Sequence, residues 1–298
     1  MTATYDQTRK ALDDILKQDT HTVKEFWKSG FNPFNQSLNT QSPAFKVMCK
    51  FLGGSLTNTL PKREIIIPHK PQSFIGMSER SKDILFPKAT EIGLMLLYPK
   101  IIKQQYGGVV VNNHNMGNIV DALMELRKSY KKNAKSGDME YDILQCKAKA
   151  LMCVIFSVIS FVYIHDDLVN SRDEVPYGGV LALGNLFRRL VVEGYTPFYG
   201  DTDCLFIAEA EDEGLRQVLA TYTEDVGILA VAEPMHNLIV NRIKRYSHTG
   251  RHGSVIQGYR IFQHEKTVGR HENRRTLDIR QKVIDDMSGM FNKMYDER

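Results

Sequence analysis

The residues best placed to do chemistry are Tyr199-Gly200-Asp201-Thr202-Asp203-Cys204, with two carboxylates separated by one threonine. The apolar runs at Tyr195–Tyr199 and Cys204–Ala208 read as short strands. The two carboxylates then sit at the tip of a β-hairpin. Such a tip can hold a divalent cation, because Mg²⁺ takes hard oxygen ligands. Two-metal phosphoryl transfer uses carboxylates of this kind to hold two ions about 4 Å apart. The same D-T-D sequence is also ordinary turn chemistry, since Asp and Thr side chains bond to their own backbone in turns. Taken alone, the hexapeptide supports both readings.

The hexapeptide resembles motif C of the family B DNA polymerases, which usually reads Y-G-D-T-D-S. Four further segments resemble motifs of that family, in its order and rough spacing. Leu96-Leu97-Tyr98-Pro99-Lys100-Ile101-Ile102 is similar to the S-L-Y-P-S-I-I of motif A. Leu126-Arg127-Lys128-Ser129-Tyr130-Lys131-Lys132 is similar to the first fingers helix. Lys149-Ala150-Leu151-Met152-Cys153-Val154-Ile155-Phe156-Ser157 is similar to motif B, usually K-A-L-K-x-x-x-N-S-x-Y-G. Lys244-Arg245-Tyr246, followed by Gln257-Gly258, is similar to the thumb-proximal K-K-R-Y and K-G pair.

The resemblance implies template-directed nucleotidyl transfer, with Mg²⁺ as cofactor and a deoxynucleoside triphosphate as substrate. It implies DNA as partner, either primer–template or nonspecific duplex, beside other replication or virion proteins. Asp201 and Asp203 take the catalytic and metal-binding role. Tyr98, with Leu97 before it, packs beneath the sugar of the incoming nucleotide, Arg127 and Lys131 hold its triphosphate, and Lys149 is a further nucleotide-binding candidate. Lys244, Arg245, Tyr246, Gln257 and Gly258 lie along DNA. A spacing of four puts Arg127 and Lys131 on one helix face. Cations clamping phosphate suit a reaction in which positioning and charge neutralisation do most of the work. A solvated basic helix face has the same pattern.

Two motifs depart from the family. The Asp expected five residues before the motif A Tyr is Gly93. Its nearest substitute is Glu91, which shares a strand face with Gly93 but sits about 7 Å further along. In motif B the Lys becomes Met152, the Asn becomes Phe156, and the Tyr-Gly becomes Ile159-Ser160. Met152, Phe156 and Ile159 repeat at helical spacing and read as a core or protein-interface stripe. Lys149, one turn earlier, reaches part of the way toward the lost Lys.

Composition narrows the function classes. The chain has 298 residues, 42% hydrophobic and 25% charged, with a net charge of +4. This excludes a disordered or collagen-like chain, and permits a nucleic-acid partner without requiring one. The four cysteines form no C-x-x-C pair, which points to a reducing, intracellular compartment: cytoplasm, nucleus or virion. The N-terminus lacks the apolar core of a signal peptide. The longest apolar run, residues 151–164, is shorter than the roughly 20 residues of a membrane span, so no membrane partner is expected. Residues 241–275 carry nine Lys and Arg against two Glu, interleaved with Tyr246, Tyr259 and Phe262. Such a segment suits salt-dependent phosphate contact. The histidines there (His248, His252, His264 and His271) have no cysteine partners and no zinc spacing.

These residues need a scaffold of a definite kind. Helices are expected over 5–18, 117–134, 139–164, 180–193, 214–224 and 276–295, a strand over 64–68, and a loop over 29–43. The expected fold is α+β: a polymerase palm with an antiparallel sheet, a two-helix fingers insertion and a reduced thumb. The expected division is an N-terminal segment at 1–62, palm at 63–106 and 180–240, fingers at 107–179, and a basic thumb-like segment at 241–298. The length leaves no room for the family's nuclease domain or full thumb. Three functions follow. The first is a catalytically impaired, DNA-binding, replication-associated homologue, of a viral or mobile-element type. The second is an active minimal nucleotidyltransferase using Asp201, Asp203 and Glu91. The third is a structural or assembly protein that reuses the fold, with the apolar fingers face as its interface.

Overall fold

A computed structural model describes residues 2–18, 21–22, 42–60, 73–75, 84–135, 137–209, 211–242, 245–250 and 253–257. The expected strand at 64–68, most of the loop at 29–43 and the helix at 276–295 lie outside these residues. The chain divides into two compact units. One, mostly helical, comprises Met1–Ile67 and Tyr98–Tyr177. The other, built on a sheet, comprises Pro68–Leu97 and Gly178–Arg298.

The helical unit contains α1 (Tyr5–Gln18), α2 (Pro43–Phe51), α3 (Leu97–Tyr106, from Tyr98 on), α4 (Met116–Ala134) and α5 (Met139–Phe161). Leu12 and Leu16 lie one turn apart on α1 and are buried. Polar contacts fix α1 on α4: the Tyr5 hydroxyl donates to Glu125, Arg9 pairs with the same carboxylate, and the Tyr130 hydroxyl donates to Asp13. Burial, then the Glu125 carboxylate, pushes the Tyr5 hydroxyl up to about 12, so it stays a donor at neutral pH.

Asn112 and Asn113 both have positive φ, as a two-residue hairpin turn requires, between β3 (Val110–Val111) and β4 (His114–Asn115). Asn115 then caps α4, its side chain accepting from the Asn118 N–H at 3.3 Å. Asp138 caps α5 in the same manner, accepting from Glu140 at 2.9 Å. α4 ends at Ala134 and α5 begins at Met139, and the two pack as an antiparallel helical hairpin, as expected. Two side-chain pairs straddle it: the Tyr130 and Tyr141 rings are 6.1 Å apart, and Arg127 influences Cys146.

α5 is the one helix among the described residues long and apolar enough to cross a membrane, and 72% of its apolar window is buried. Packing against α1, α2 and α4 accounts for that apolar character. The Met152, Phe156 and Ile159 stripe is 1%, 6% and 0% exposed. Of the two roles open to it, core or protein interface, it takes the first.

Among the described residues the sheet unit holds seven antiparallel strands in the order β1-β5-β6-β2-β7-β8-β9. They are β1 (Ser73–Ile75), β2 (Ile84–Leu94), β5 (Pro197–Asp201), β6 (Cys204–Ile207), β7 (Ala230–Arg242), β8 (Arg245–Gly250) and β9 (Gly253–Gln257). Along β2, Thr90, Ile92 and Leu94 are buried, while Glu91 and Gly93 on the other face are part-exposed. α7 (Glu213–Val226) packs against β7, and the later part of α6 (Ser171–Val192) is tied to it. Tyr222 donates to the Ala182 carbonyl at 3.1 Å, and Arg189 pairs with Asp225 at 2.8 Å.

Two local expectations shift. The hairpin strands lie two residues later on the first arm, because Gly200 and Asp201 still pair with Leu205 and Cys204. The turn is therefore only Thr202-Asp203. Within the described residues the basic segment begins as sheet: Arg242 pairs with Arg245, and β8 and β9 extend the sheet edge.

Candidate functional site

The candidate residues fall into two groups, one in each unit. In the sheet unit the register sets two rows across the strands. One row runs Asp201, Cys204, Gly93, Val231, and the next runs Tyr199, Phe206, Glu91, Glu233. Directly opposed residues of antiparallel strands share a face, so Asp201, Gly93, Glu91 and Glu233 lie on one face. Strands are spaced about 4.8 Å apart, which puts the Asp201 and Gly93 backbones roughly 10 Å from each other. Asp203 comes closer to β2, because its carbonyl accepts from the Leu94 N–H at 2.7 Å.

The hairpin tip is tight. Thr202 has φ 58, unusual for a β-branched residue, and the Asp203 N–H donates back to the Asp201 carbonyl at 2.6 Å. The Thr202 hydroxyl donates to Asp201 Oδ1 at 3.0 Å and orients that carboxylate. Cys204, where the family usually has Ser, lies buried beneath the group. Burial, followed by Glu91, Asp203 and Asp201, pushes its thiol well above the ordinary range. All three predicted carboxylates thus act on one thiol.

Glu91 faces another carboxylate in the sheet. Its register partner is Glu233, a residue the motif comparison missed. Burial first, then Glu233, then Asp203, pushes the Glu91 carboxyl up to about 6. Among the described residues, no group of three or more His, Cys, Asp or Glu side chains is arranged to hold a metal ion. With glycine at position 93 and Glu91 turned to a repulsive partner, the residues present do not fit a two-ion centre. The signal for Glu233 is that it is the one carboxylate in the mostly apolar run 228–240. Its opposite residue was not legible without the register.

At Gly93 itself the backbone is regular strand, and a Cβ built there would meet no atom within 4 Å. Neither conformation nor packing requires glycine.

The helical unit holds the cationic group. Arg127 on α4 and Lys149 on α5 both act on the Cys146 thiol, which burial and then Asp142 push up and these two cations pull down. The structure therefore brings together two cations predicted from separate motifs. Arg127 Nε is buried without a hydrogen-bond partner, while Lys131 and Lys149 are exposed. Tyr98 is half-buried, with its ring 5.0 Å from that of Phe156. Phe156, at the position that resembles the motif B Asn, is thus the packing partner of Tyr98. Leu97, at the start of α3, is buried.

Of the expected DNA-binding residues, Tyr246 on β8 and Gln257 on β9 are register partners, and Arg245 begins β8. Lys244 and Gly258 lie outside the described residues.

No protein-family model matches the chain, and no curated protein matches it in sequence. Among solved structures, the family B DNA polymerase from the hyperthermophilic archaeon Pyrobaculum calidifontis is similar to it, with a TM-score of 0.50 over 84% of the chain and 16% identity. The match spans 37% of that polymerase. The chain therefore has an α+β fold that resembles part of a family B DNA polymerase.

Proposed function

We propose that this protein is a DNA-binding, replication-associated member of the polymerase-like fold in which nucleotidyl transfer is severely impaired. The observation that carries this reading is the row Asp201, Cys204, Gly93: the strand runs beside the acidic hairpin and presents no carboxylate at position 93. Two-ion phosphoryl transfer depends on carboxylates that fix both ions, and Glu91, facing Glu233, is poorly suited to supply the third. The loss of polar groups along α5 points the same way. DNA binding is supported by the cations of α4 and by the fold likeness.

Primer extension with Mg²⁺ or Mn²⁺, run beside fluorescence-anisotropy DNA binding, tests the reading. The expected result is salt-dependent DNA binding, with extension no greater than that of Asp203→Ala. Extension by the native protein that Asp203→Ala abolishes would establish the active nucleotidyltransferase instead. Absence of both extension and DNA binding would leave the structural role.

A further inference from the structure

Between Arg127 and Lys135, the end of α4 and its cap carry five cations and no anion. At 3.6 residues per turn, Arg127, Lys131, Lys135, Lys128 and Lys132 fall within a sector of about 140°. Lys128, Lys131, Lys132 and Lys135 are exposed. None of the four forms an ion pair among the described residues. The carboxylates nearby are engaged elsewhere or lie across the turn. Glu125 holds Tyr5 and Arg9, and Asp121 holds Lys103. Asp138 caps α5, Asp142 accepts from Gln145, and Glu140 stands exposed in the first turn of α5. Lys149, which shares the surroundings of Cys146 with Arg127, extends the positive surface onto α5.

Like charges one turn apart destabilise a helix, and this stretch holds three such pairs: Arg127–Lys131, Lys128–Lys132 and Lys131–Lys135. The helix C-terminus offsets part of that repulsion. An external polyanion would remove the rest.

We propose that Lys128, Lys132 and Lys135 form a contact surface for the phosphate backbone of DNA, beyond the Arg127 and Lys131 positions of the motif. The inference rests on the DNA-binding reading above. Between Arg127 and Lys135 the sector contains no aromatic or apolar anchor of the kind that dominates protein–protein interfaces. Nor can α4 lie in a lipid surface on an apolar face, because Ile119, Leu123, Leu126 and Tyr130 are buried in the helical unit. What remains is a row of mobile point charges, which suits sequence-independent phosphate contact.

The test is a salt titration of binding to a 30-nucleotide single strand and to its duplex. It compares the native protein with Lys128→Gln/Lys132→Gln/Lys135→Gln and with the corresponding triple Arg variant. Each lost phosphate contact lowers the slope of log affinity against log salt by about 0.7 on a single strand and 0.9 on a duplex. The Gln variant is expected to lose about two to three units of slope and to bind at least about tenfold more weakly at 50 mM salt. The Arg variant is expected to bind and melt as the native protein does, and the Gln variant to melt no lower than either, because it relieves the like-charge repulsion. If the native protein binds DNA and the Gln variant binds equally well, the lysines are only a solvated face and this inference falls while the DNA-binding reading stands. If the native protein binds neither DNA form, the DNA-binding reading falls first. Binding to phosphatidylserine vesicles that the Gln variant loses, with DNA binding unchanged, would assign the surface to lipid and overturn the proposal.

Discussion

Position 93 on β2 and the Met152–Phe156–Ile159 face of α5 both depart from the polymerase motifs, but in physically different ways. Gly93 carries no side chain, and a Cβ built there would meet no atom within 4 Å. On α5 the positions that resemble motif B carry apolar side chains, and these are buried, with Phe156 packed against Tyr98. A deletion that leaves the backbone regular can be reversed by one substitution. A replacement that has become core cannot, because the restored polar group must enter a space with no partner for it. The structural cost of reversal therefore measures how far each region has been absorbed into the fold.

The largest effect is expected on α5. Met152→Lys buries an ammonium in packed apolar surroundings, and Phe156→Asn removes a large buried ring. Each is expected to destabilise by about 3–5 kcal/mol, read as a lowered midpoint in urea. A loss below about 1 kcal/mol in either would show that the face is still adapted to polar groups.

Glu91→Gln comes next, and its sign depends on pH. The folded protein holds the Glu91 proton up to about 6, above the ordinary 4.5. Stability from the protonated form is full below about 4.5 and is lost as pH rises through about 6. At pH 7.5 the ionised carboxylate costs roughly 2 kcal/mol, so Glu91→Gln is expected to stabilise by about 1–2 kcal/mol there and by nothing at pH 4. Thermal melts at the two pH values check this. Equal effects at both would place the cause in packing rather than in charge.

The smallest structural effect is expected at Gly93. Gly93→Asp enters open space on a regular strand and should change stability by less than about 1 kcal/mol. Its distinctive readout is tighter Mn²⁺ binding, followed by the magnetic resonance signal of the ion, which Asp203→Ala should cancel. A large destabilisation by Gly93→Asp would erase the contrast between the two regions.

Much of the local structure was legible because local rules decide it. The helix at Tyr5–Gln18, the α4–α5 hairpin and the two-carboxylate turn all follow from spacing, caps and turn residues. Period 2 also places Glu91 and Gly93 on one face of β2. It does not name the strand opposite. That Glu91 faces Glu233, some 140 residues away, depends on the register of β2 with β7, which long-range packing sets. The union of Arg127 with Lys149 beside Cys146, and of Tyr98 with Phe156, has the same origin. The basic segment misled for a related reason. Its charge is visible in composition, but whether it joins the sheet depends on a free edge at β7.

By itself, the sequence determined which chemical groups the protein has and lacks: two carboxylates flanking one threonine, a cationic helix, no carboxylate at 93 and no cation at 152. Residue types at short spacing are enough for that. Only the tertiary structure decided that the gap at 93 is open and the one at 152 closed. Whether a lost group leaves space or packed core depends on neighbours brought in from distant parts of the chain.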